Sequence, residues 1–134
     1  MQLPRPIYME MIAQALDELP NESCALLAGE SGSDRVRRFY PCRNAAGSAK
    51  VYSVDAGDHL RASRDAEDGG LDLIGVVHSH THTDPYPSPT DVQAAIDPEW
   101  HYLIVSLRFD EPSLRAFRIV DQVITEEPIE LVDE

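Results

Sequence analysis

Apolar residues recur at spacings of three to four over residues 6–19, and this period predicts an amphipathic helix near the start of the chain. Pro20-Asn21 should end that helix. A second helix is predicted from its capping residues. Asp55 suits the N-cap of a helix that runs to about Asp68, where Gly69-Gly70 should stop it.

Short apolar runs bounded by turn residues predict strands. The clearest is Leu71–Val77, which is nearly all apolar and is therefore typical of a strand in the middle of a sheet. Pro41 cannot donate a ladder hydrogen bond, so its strand should end at a sheet edge. The other predicted strands are residues 23–29, 35–42, 50–54, 102–107 and 114–120, with one more short strand within 123–132.

The stretch Ser88-Pro89-Thr90-Asp91 predicts a third helix, because it combines a capping-box variant with proline at the first helical position. The predicted order is then α-β-β-β-α-β-α-β-β. This order favours a mixed α/β (α+β) fold, in which helices flank a mixed β-sheet within a single domain over residues 1–134.

The composition is that of a folded globular protein, with 43% hydrophobic and 26% charged residues. The net charge is −13, from 24 acidic against 11 basic residues. Nucleic acids and anionic membrane surfaces are therefore disfavoured as partners, because both are bound through basic surfaces. A protein partner with a basic face fits this charge.

Cysteine content and the start of the chain indicate the compartment. Cys24 and Cys42 are the only cysteines, too few for the disulfide framework of a small secreted domain. The first segment lacks the apolar run of a signal peptide, and no stretch is long enough to cross a bilayer. We therefore expect a cytoplasmic protein.

The candidate chemistry begins at His78-Ser79-His80, after the predicted central strand. Residues i and i+2 of a strand point the same way, so the two imidazoles can converge on one metal ion. Asp91 lies eleven residues after His80, in the first turn of the third helix, where it could supply a carboxylate oxygen. Two histidines and one carboxylate leave a position open for water, as in catalytic zinc sites.

Each of these residues also has an ordinary interpretation. Two histidines after a strand are often polar loop residues, Asp91 alone could interact with the positive end of its helix, and Ser88 alone could be an N-cap. What favours the site is their combination at one strand-loop-helix corner. Glu22, taken by itself, could be a solvated loop glutamate.

The spacing of these residues resembles a known motif. His78-x-His80, then seven residues, then Ser88-x-x-Asp91, is similar to the JAMM motif of the MPN-plus metalloproteases. Glu22 stands just before a predicted strand, where that motif has its upstream glutamate. The resemblance runs from the first helix to about Val132. It implies a single-domain MPN/JAMM fold, related to the cytidine-deaminase-like architecture.

The resemblance also implies roles for five residues. His78, His80 and Asp91 would be the ligands of a Zn²⁺ cofactor. Glu22 would be the general base that takes a proton from the zinc-bound water and returns it to the leaving amine. Ser88 would help to stabilise the tetrahedral oxyanion.

Within that family the chain looks like the small bacterial Mec-type peptidases. These remove a cysteine adduct from the C-terminal Gly-Gly tail of a ubiquitin-like sulfur-carrier protein in cysteine biosynthesis, which implies the same partner here. Ala25 departs from a common glycine, and His82 is an additional histidine near the site. The similar segments are His78–Thr81, Tyr86–Ser88, Thr90–Val92, 101–106, 118–121 and 125–128.

Two other functions remain open from the sequence. One is a broader JAMM isopeptidase acting on ubiquitin-like conjugates, although the compact chain has little room for inserted loops. The other is a non-catalytic MPN scaffold, although such scaffolds usually lack some motif residues. A zinc deaminase is disfavoured because no Pro-Cys-x-x-Cys tract exists. The oligomeric state, a homodimer included, stays open.

Other reactive side chains have simpler interpretations. Cys24 is predicted to be a small buried apolar residue, since it lies inside an apolar run. His82 is predicted to face solvent or substrate. His59 is predicted to lie on a helix surface and His101 at the start of a strand.

Overall fold

A computed structural model describes all residues from 1 to 134. It has three helices, α1 (Arg5–Asp17), α2 (Ala56–Asp68) and α3 (Pro89–Ala94). The predicted caps are confirmed, since Asp55 accepts a hydrogen bond from the Asp58 N–H at 3.0 Å and Ser88 begins α3 with a capping box. Helix α1 ends two residues earlier than predicted, and Glu18 follows it as a C-cap.

Six strands form one mixed sheet: β2 (Cys24–Gly29), β3 (Arg38–Cys42), β4 (Asp72–His80), β5 (His101–Ser106), β6 (Ser113–Val120) and β7 (Val123–Glu127). Their order is β3-β2-β4-β5-β6-β7, and only the β4–β5 pair is parallel. The predicted central strand therefore lies inside the sheet, and Pro41 lies on an edge strand as expected. Two short strands, β1 (Gln2–Pro4) and β8 (Glu130–Val132), pair separately in parallel.

Helices cover both faces of the sheet, because strand residues alternate between two apolar clusters. Ala25 and Leu27 face a cluster that includes residues of α1. Cys24 and Leu26 face the opposite cluster, which includes Ala62 of α2. The predicted mixed sheet flanked by helices is confirmed. No helix has both the length and the apolar composition needed to cross a membrane.

Two local predictions are wrong, and one strand was not predicted. Residues 50–54 form no strand, because their backbone groups bond the Asn44 side chain, which accepts from the Ser53 N–H and donates to the Val51 carbonyl. The sequence pattern missed β1, whose three residues pair with the far end of the chain and, at Gln2, bridge to Arg35. The tail holds two strands, β7 and β8, where one was predicted.

Strand β4 extends further toward the C-terminus than predicted, and it therefore contains two of the candidate metal ligands. His78, Ser79 and His80 lie within β4, at its carboxyl end, and not after it. The parallel pairing with β5 continues as far as His80 opposite Ser106, which holds this end of the strand in regular geometry.

Candidate active site

The two histidines at the end of β4 point to the same side of the strand, as the period of two requires. The Nε2 atoms of His78 and His80 lie 3.1 Å apart. Both side chains are buried, each residue being 4% exposed. Two imidazole nitrogens therefore face one point beneath the protein surface.

Asp91 joins this pair because the start of α3 holds it there. Its Oδ2 atom lies 3.2 Å from His78 Nε2 and 3.0 Å from His80 Nε2. The same oxygen accepts the Ser88 N–H at 2.9 Å, while Ser88 Oγ accepts the Asp91 N–H at 3.0 Å. The reciprocal capping bonds thus orient the carboxylate toward the histidines as well as beginning the helix.

Burial and mutual hydrogen bonds shift the pKa of all three side chains, His78, His80 and Asp91, which we call the donor set. Burial raises the pKa of Asp91, but hydrogen bonds with His78 and His80 outweigh it and hold that pKa well below its usual range. Burial lowers the pKa of His78, which favours the neutral imidazole that binds metals. For His80, burial also lowers the pKa, but hydrogen bonds to Asp91 and the Asp84 carbonyl outweigh it and the pKa is raised.

Glu22 approaches the donor set from the loop before β2. The pairing of β2 with β4 puts Cys24 opposite His78, so Glu22 lies just beyond the end of that pair. The side chain is buried, and its Oε1 atom has no hydrogen-bond partner. Burial raises the pKa of Glu22 to about 7, with the charge of His80 opposing the shift. A cation at the donor set would stabilise the ionised carboxylate further.

Ser79 is a structural residue of the site that the sequence analysis missed. It lies between the two histidines, is fully buried, and its Oγ accepts the Ser23 N–H at 2.7 Å. The Ser79 N–H in turn donates to the Ser23 carbonyl at 3.1 Å. These bonds tie the segment that carries Glu22 to the strand that carries the histidines. The sequence signal for this role was a serine between the two histidines, since the middle residue of His-x-His faces the opposite side of the strand.

The other singled-out side chains lie outside the donor set. Cys24 is buried as predicted, and burial raises the pKa of its thiol to about 12. His82 is exposed, and its Nδ1 lies 2.8 Å from Thr81 Oγ1. His59 is exposed on α2, and His101 begins β5 with its Nδ1 2.9 Å from the Glu127 carboxylate.

A cavity of about 570 Å³ lies at the other end of the sheet, where β4 and β5 begin. Asp34, Trp100, His101 and Arg118 are among its lining residues, and neither the donor set nor Glu22 lines it. The cavity is therefore separate from the candidate active site.

The arrangement could hold a metal ion beside a carboxyl group. His78, His80 and Asp91 bring one donor atom each within 4.8 Å of one another, close enough to hold a single ion. Imidazole and carboxylate together suit a first-row divalent metal. The unpartnered oxygen of Glu22 fits a site that admits a water molecule or substrate beside such an ion.

The chain is similar in sequence to a known family and to several known peptidases. Residues 4–120 match the Prok-JAB family, described as prokaryotic homologs of the JAB domain. A CysO-cysteine peptidase of Mycobacterium tuberculosis is 43% identical over 125 residues, which are 92% of this chain and 86% of that protein. A desampylase of Haloferax volcanii is 37% identical over 93 residues, which are 69% of this chain and 67% of that protein.

Solved structures show the same fold. The solution structure of a Desulfitobacterium hafniense protein superposes with a TM-score of 0.89 at 37% identity, covering 99% of this chain and 93% of that one. A JAB1/MPN domain protein from Archaeoglobus fulgidus superposes with a TM-score of 0.68 at 21% identity, covering 98% and 99%. The chain therefore belongs to the JAMM/MPN family, in its prokaryotic JAB branch and of the Mec type.

Proposed function

We propose that the chain is a zinc-dependent peptidase that hydrolyses the bond after the C-terminal glycine of a ubiquitin-like sulfur-carrier protein, releasing cysteine or a short peptide. The observation that carries this proposal is the convergence of His78 Nε2, His80 Nε2 and Asp91 Oδ2 beside the unpartnered carboxyl oxygen of Glu22. The names of the relatives, a CysO-cysteine peptidase and a desampylase, support a substrate of the ubiquitin-like carrier class.

The spacing of the donor atoms fits zinc. Donors at about 2.0–2.1 Å from a tetrahedral zinc ion are about 3.3 Å from one another. The three separations in the donor set are 3.0, 3.1 and 3.2 Å. His78, His80 and Asp91 would therefore hold the ion with little movement. Bound there, zinc would supply a Lewis acid that makes a water molecule nucleophilic at neutral pH.

Glu22 and Ser88 would handle the proton and the developing charge. The Glu22 carboxylate takes a proton from the attacking water and delivers it to the amine as the peptide bond breaks. The Ser88 hydroxyl accepts the Asp91 N–H through its oxygen, so its own hydrogen stays free to donate to the carbonyl oxygen of the substrate. That donation strengthens as the oxygen becomes negative.

Burial of the site supports a slender substrate. His78, His80 and Glu22 are each 4% exposed, so the scissile bond must reach a recessed point. Glycines suit this approach because they have no side chain to clash with the walls. A flexible Gly-Gly tail would therefore enter where the backbone of a folded protein could not.

The substrate is tested with a sulfur carrier that bears one C-terminal cysteine. We expect mass spectrometry to show the loss of a single cysteine after incubation with the zinc-loaded protein, and no loss with Glu22→Gln. A ubiquitin-type isopeptide conjugate serves as the competing substrate. Cleavage of that conjugate without cleavage of any carrier adduct would overturn the proposed substrate and favour an isopeptidase.

The isopeptidase is the second candidate, and the similarity to a desampylase is the observation that favours it. Both candidates use the same donor set and the same proton-handling glutamate. They differ in what leaves the active site, a single amino acid or a protein lysine. A non-catalytic scaffold is disfavoured because all five motif residues are present and grouped.

Ser88→Ala should separate the capping role of the hydroxyl from its catalytic role. Loss of the N-cap bond should cost about 0.5–2 kcal/mol of stability. Loss of a donor to the oxyanion should lower kcat about 10²–10³-fold. Thermal unfolding and turnover are measured on the same zinc-loaded sample. A destabilised variant with unchanged kcat would leave Ser88 only its capping role.

A further inference from the structure

Residues 43–54 form a loop, which we call the strap, that closes on itself beside the site. At its base the Arg43 carbonyl accepts the Asp55 N–H at 3.0 Å, and Arg43 Nη2 donates to Asp55 Oδ1 at 2.8 Å. Asn44 organises its interior. The side-chain oxygen of Asn44 accepts the N–H groups of Ala46 and Ser53, both at 3.0 Å. A single amide thus fixes the shape of the strap.

The strap holds the backbone of Glu22 on both sides. The Glu22 N–H donates to the Ser48 carbonyl at 2.8 Å. The Glu22 carbonyl accepts Asn44 Nδ2 at 3.0 Å. No other segment bonds both backbone groups of this residue, so the strap sets where the Glu22 carboxyl group is placed.

The strap also contacts His78. The two histidines differ in the hydrogen bonds that orient their rings. His80 is fixed by its second ring nitrogen, since Nδ1 lies 2.7 Å from the Asp84 carbonyl. The hydrogen bonds of the His78 ring are made through Nε2, and no protein group bonds its Nδ1. Histidines that bind metals nearly always have such a bond to orient the ring.

Tyr52 of the strap takes the place of that bond. Its ring stacks on the His78 ring with centroids 4.3 Å apart and planes inclined by 21°. A stacked neighbour at this distance prevents the imidazole from turning out of the plane in which its Nε2 faces Asp91. The Tyr52 hydroxyl makes no hydrogen bond, so the contact is made through the face of the ring.

We propose that the strap positions the reaction centre, with Tyr52 orienting the ligand His78 and Asn44 placing the base Glu22. This inference rests on the proposed function, which gives those two residues their roles. Neither Tyr52 nor Asn44 supplies a donor atom to the metal position. Both act through the residue that they hold, and the two effects should be separable, one on metal affinity and the other on turnover.

Removal of the Tyr52 ring should weaken zinc binding. Tyr52→Leu is expected to raise the Kd for zinc about 10–100-fold, because His78 loses the contact that orients it. Tyr52→Phe keeps the ring and should retain the wild-type Kd. The visible absorption of the Co²⁺-substituted protein should shift in Tyr52→Leu only, since it reports ligand geometry.

Tyr40→Leu is the matched control for lost packing. Tyr40 and Tyr52 are both half-buried and pack against the same cluster, but the Tyr40 hydroxyl donates to Asp65 Oδ2 at 2.6 Å, and its ring stacks on no histidine. Its loss should leave the Kd and the Co²⁺ spectrum unchanged. An equal loss of zinc affinity in Tyr40→Leu and Tyr52→Leu would reduce Tyr52 to a packing residue, and a wild-type Kd in Tyr52→Leu would overturn its role outright.

Asn44→Ala should act on turnover instead. With zinc loaded to saturation, kcat is expected to fall up to about 100-fold, because a displaced base loses its alignment with the water. In a Glu22→Gln background the same change should have no further effect, which a general loss of fold would not reproduce. Asn21→Ala is the matched control. Asn21 precedes the same glutamate, but its side chain makes no hydrogen bond, so its loss should leave kcat unchanged.

The outcomes separate this inference from the proposed function. The wild type could bind zinc and cleave the carrier while Tyr52→Leu keeps the wild-type Kd and Asn44→Ala the wild-type kcat. That result would overturn the positioning role of the strap and leave the proposed function standing. Zinc uptake without cleavage of any carrier would overturn the substrate, while the Kd and Co²⁺ measurements still decide Tyr52. A wild type that binds no zinc would overturn both.

Discussion

Glu22→Gln is expected to lower kcat steeply while leaving the zinc content unchanged. The amide has nearly the same shape as the carboxyl group but cannot accept the proton from the attacking water. General acid–base catalysis by a placed side chain contributes about 10²–10⁴-fold to the rate, and kcat should fall by that order. Glu22 is not among the three donors, so the zinc content should stay at one ion per chain.

The same substitution, Glu22→Gln, should not lower the stability of the metal-free protein and should tend to raise it. The Glu22 carboxyl group is buried, has an oxygen without a partner, and has a pKa raised to about 7 by that burial. Its ionised form therefore costs the metal-free fold free energy at neutral pH. The neutral amide avoids this cost, and metal-free Glu22→Gln should unfold at the same temperature as the wild type or higher. Residues kept for catalysis commonly show this trade-off.

Three measurements decide the role of Glu22. Metal analysis gives the zinc content, carrier cleavage gives kcat, and thermal unfolding without metal gives stability. Glu18→Gln is the matched control, because Glu18 is an exposed glutamate four positions earlier and should change none of them. Turnover of Glu22→Gln near the wild-type rate would remove the residue from the mechanism.

The sequence was sufficient wherever local chemistry determines structure. The caps at Asp55 and Ser88 locate two helix starts, because their bonds are made within the next three residues. The run Leu71–Val77 identified an interior strand, because burial on both faces requires apolar residues throughout. The donor set followed from the same rules, since a strand places His78 and His80 on one side and a helix start places Asp91.

The sequence was insufficient where contacts join distant segments. The apolar pattern of residues 50–54 is typical of a strand, but nearby side chains take their backbone hydrogen bonds. Ser48 accepts the N–H groups of Lys50 and Val51, and Asn44 bonds the Val51 carbonyl and the Ser53 N–H. The stacking of Tyr52 on His78 links positions 26 residues apart, and no spacing rule predicts it. Strand β1 was missed because it depends on pairing with the far end of the chain.

Loss of any one metal ligand should remove zinc and, with it, all hydrolysis. His78→Ala, His80→Ala and Asp91→Ala each delete one of the three protein donors. Loss of a residue that only hydrogen-bonds a metal ligand already costs about 10–100-fold in affinity, and removal of a ligand should cost more. We expect one zinc per chain in the wild type and little in each variant.

Asp91 requires a second variant, because its carboxylate is both a proposed metal ligand and part of the helix cap. Its Oδ2 atom also accepts the Ser88 N–H, so alanine removes a helix cap as well as a ligand. Asp91→Asn keeps a side-chain oxygen for that N–H but loses the charge that a divalent ion favours. Zinc loss in Asp91→Asn without a fall in unfolding temperature would assign the effect to ligation and not to the cap.

His82→Ala is the matched control for the histidines and answers the question of whether this extra histidine binds metal. His82 lies two residues after His80 but is exposed and outside the donor set. The variant should keep one zinc per chain, measured by elemental analysis after dialysis against metal-free buffer. Full zinc in His78→Ala, His80→Ala and Asp91→Asn alike would refute the donor set, and zinc loss in His82→Ala would require a different one.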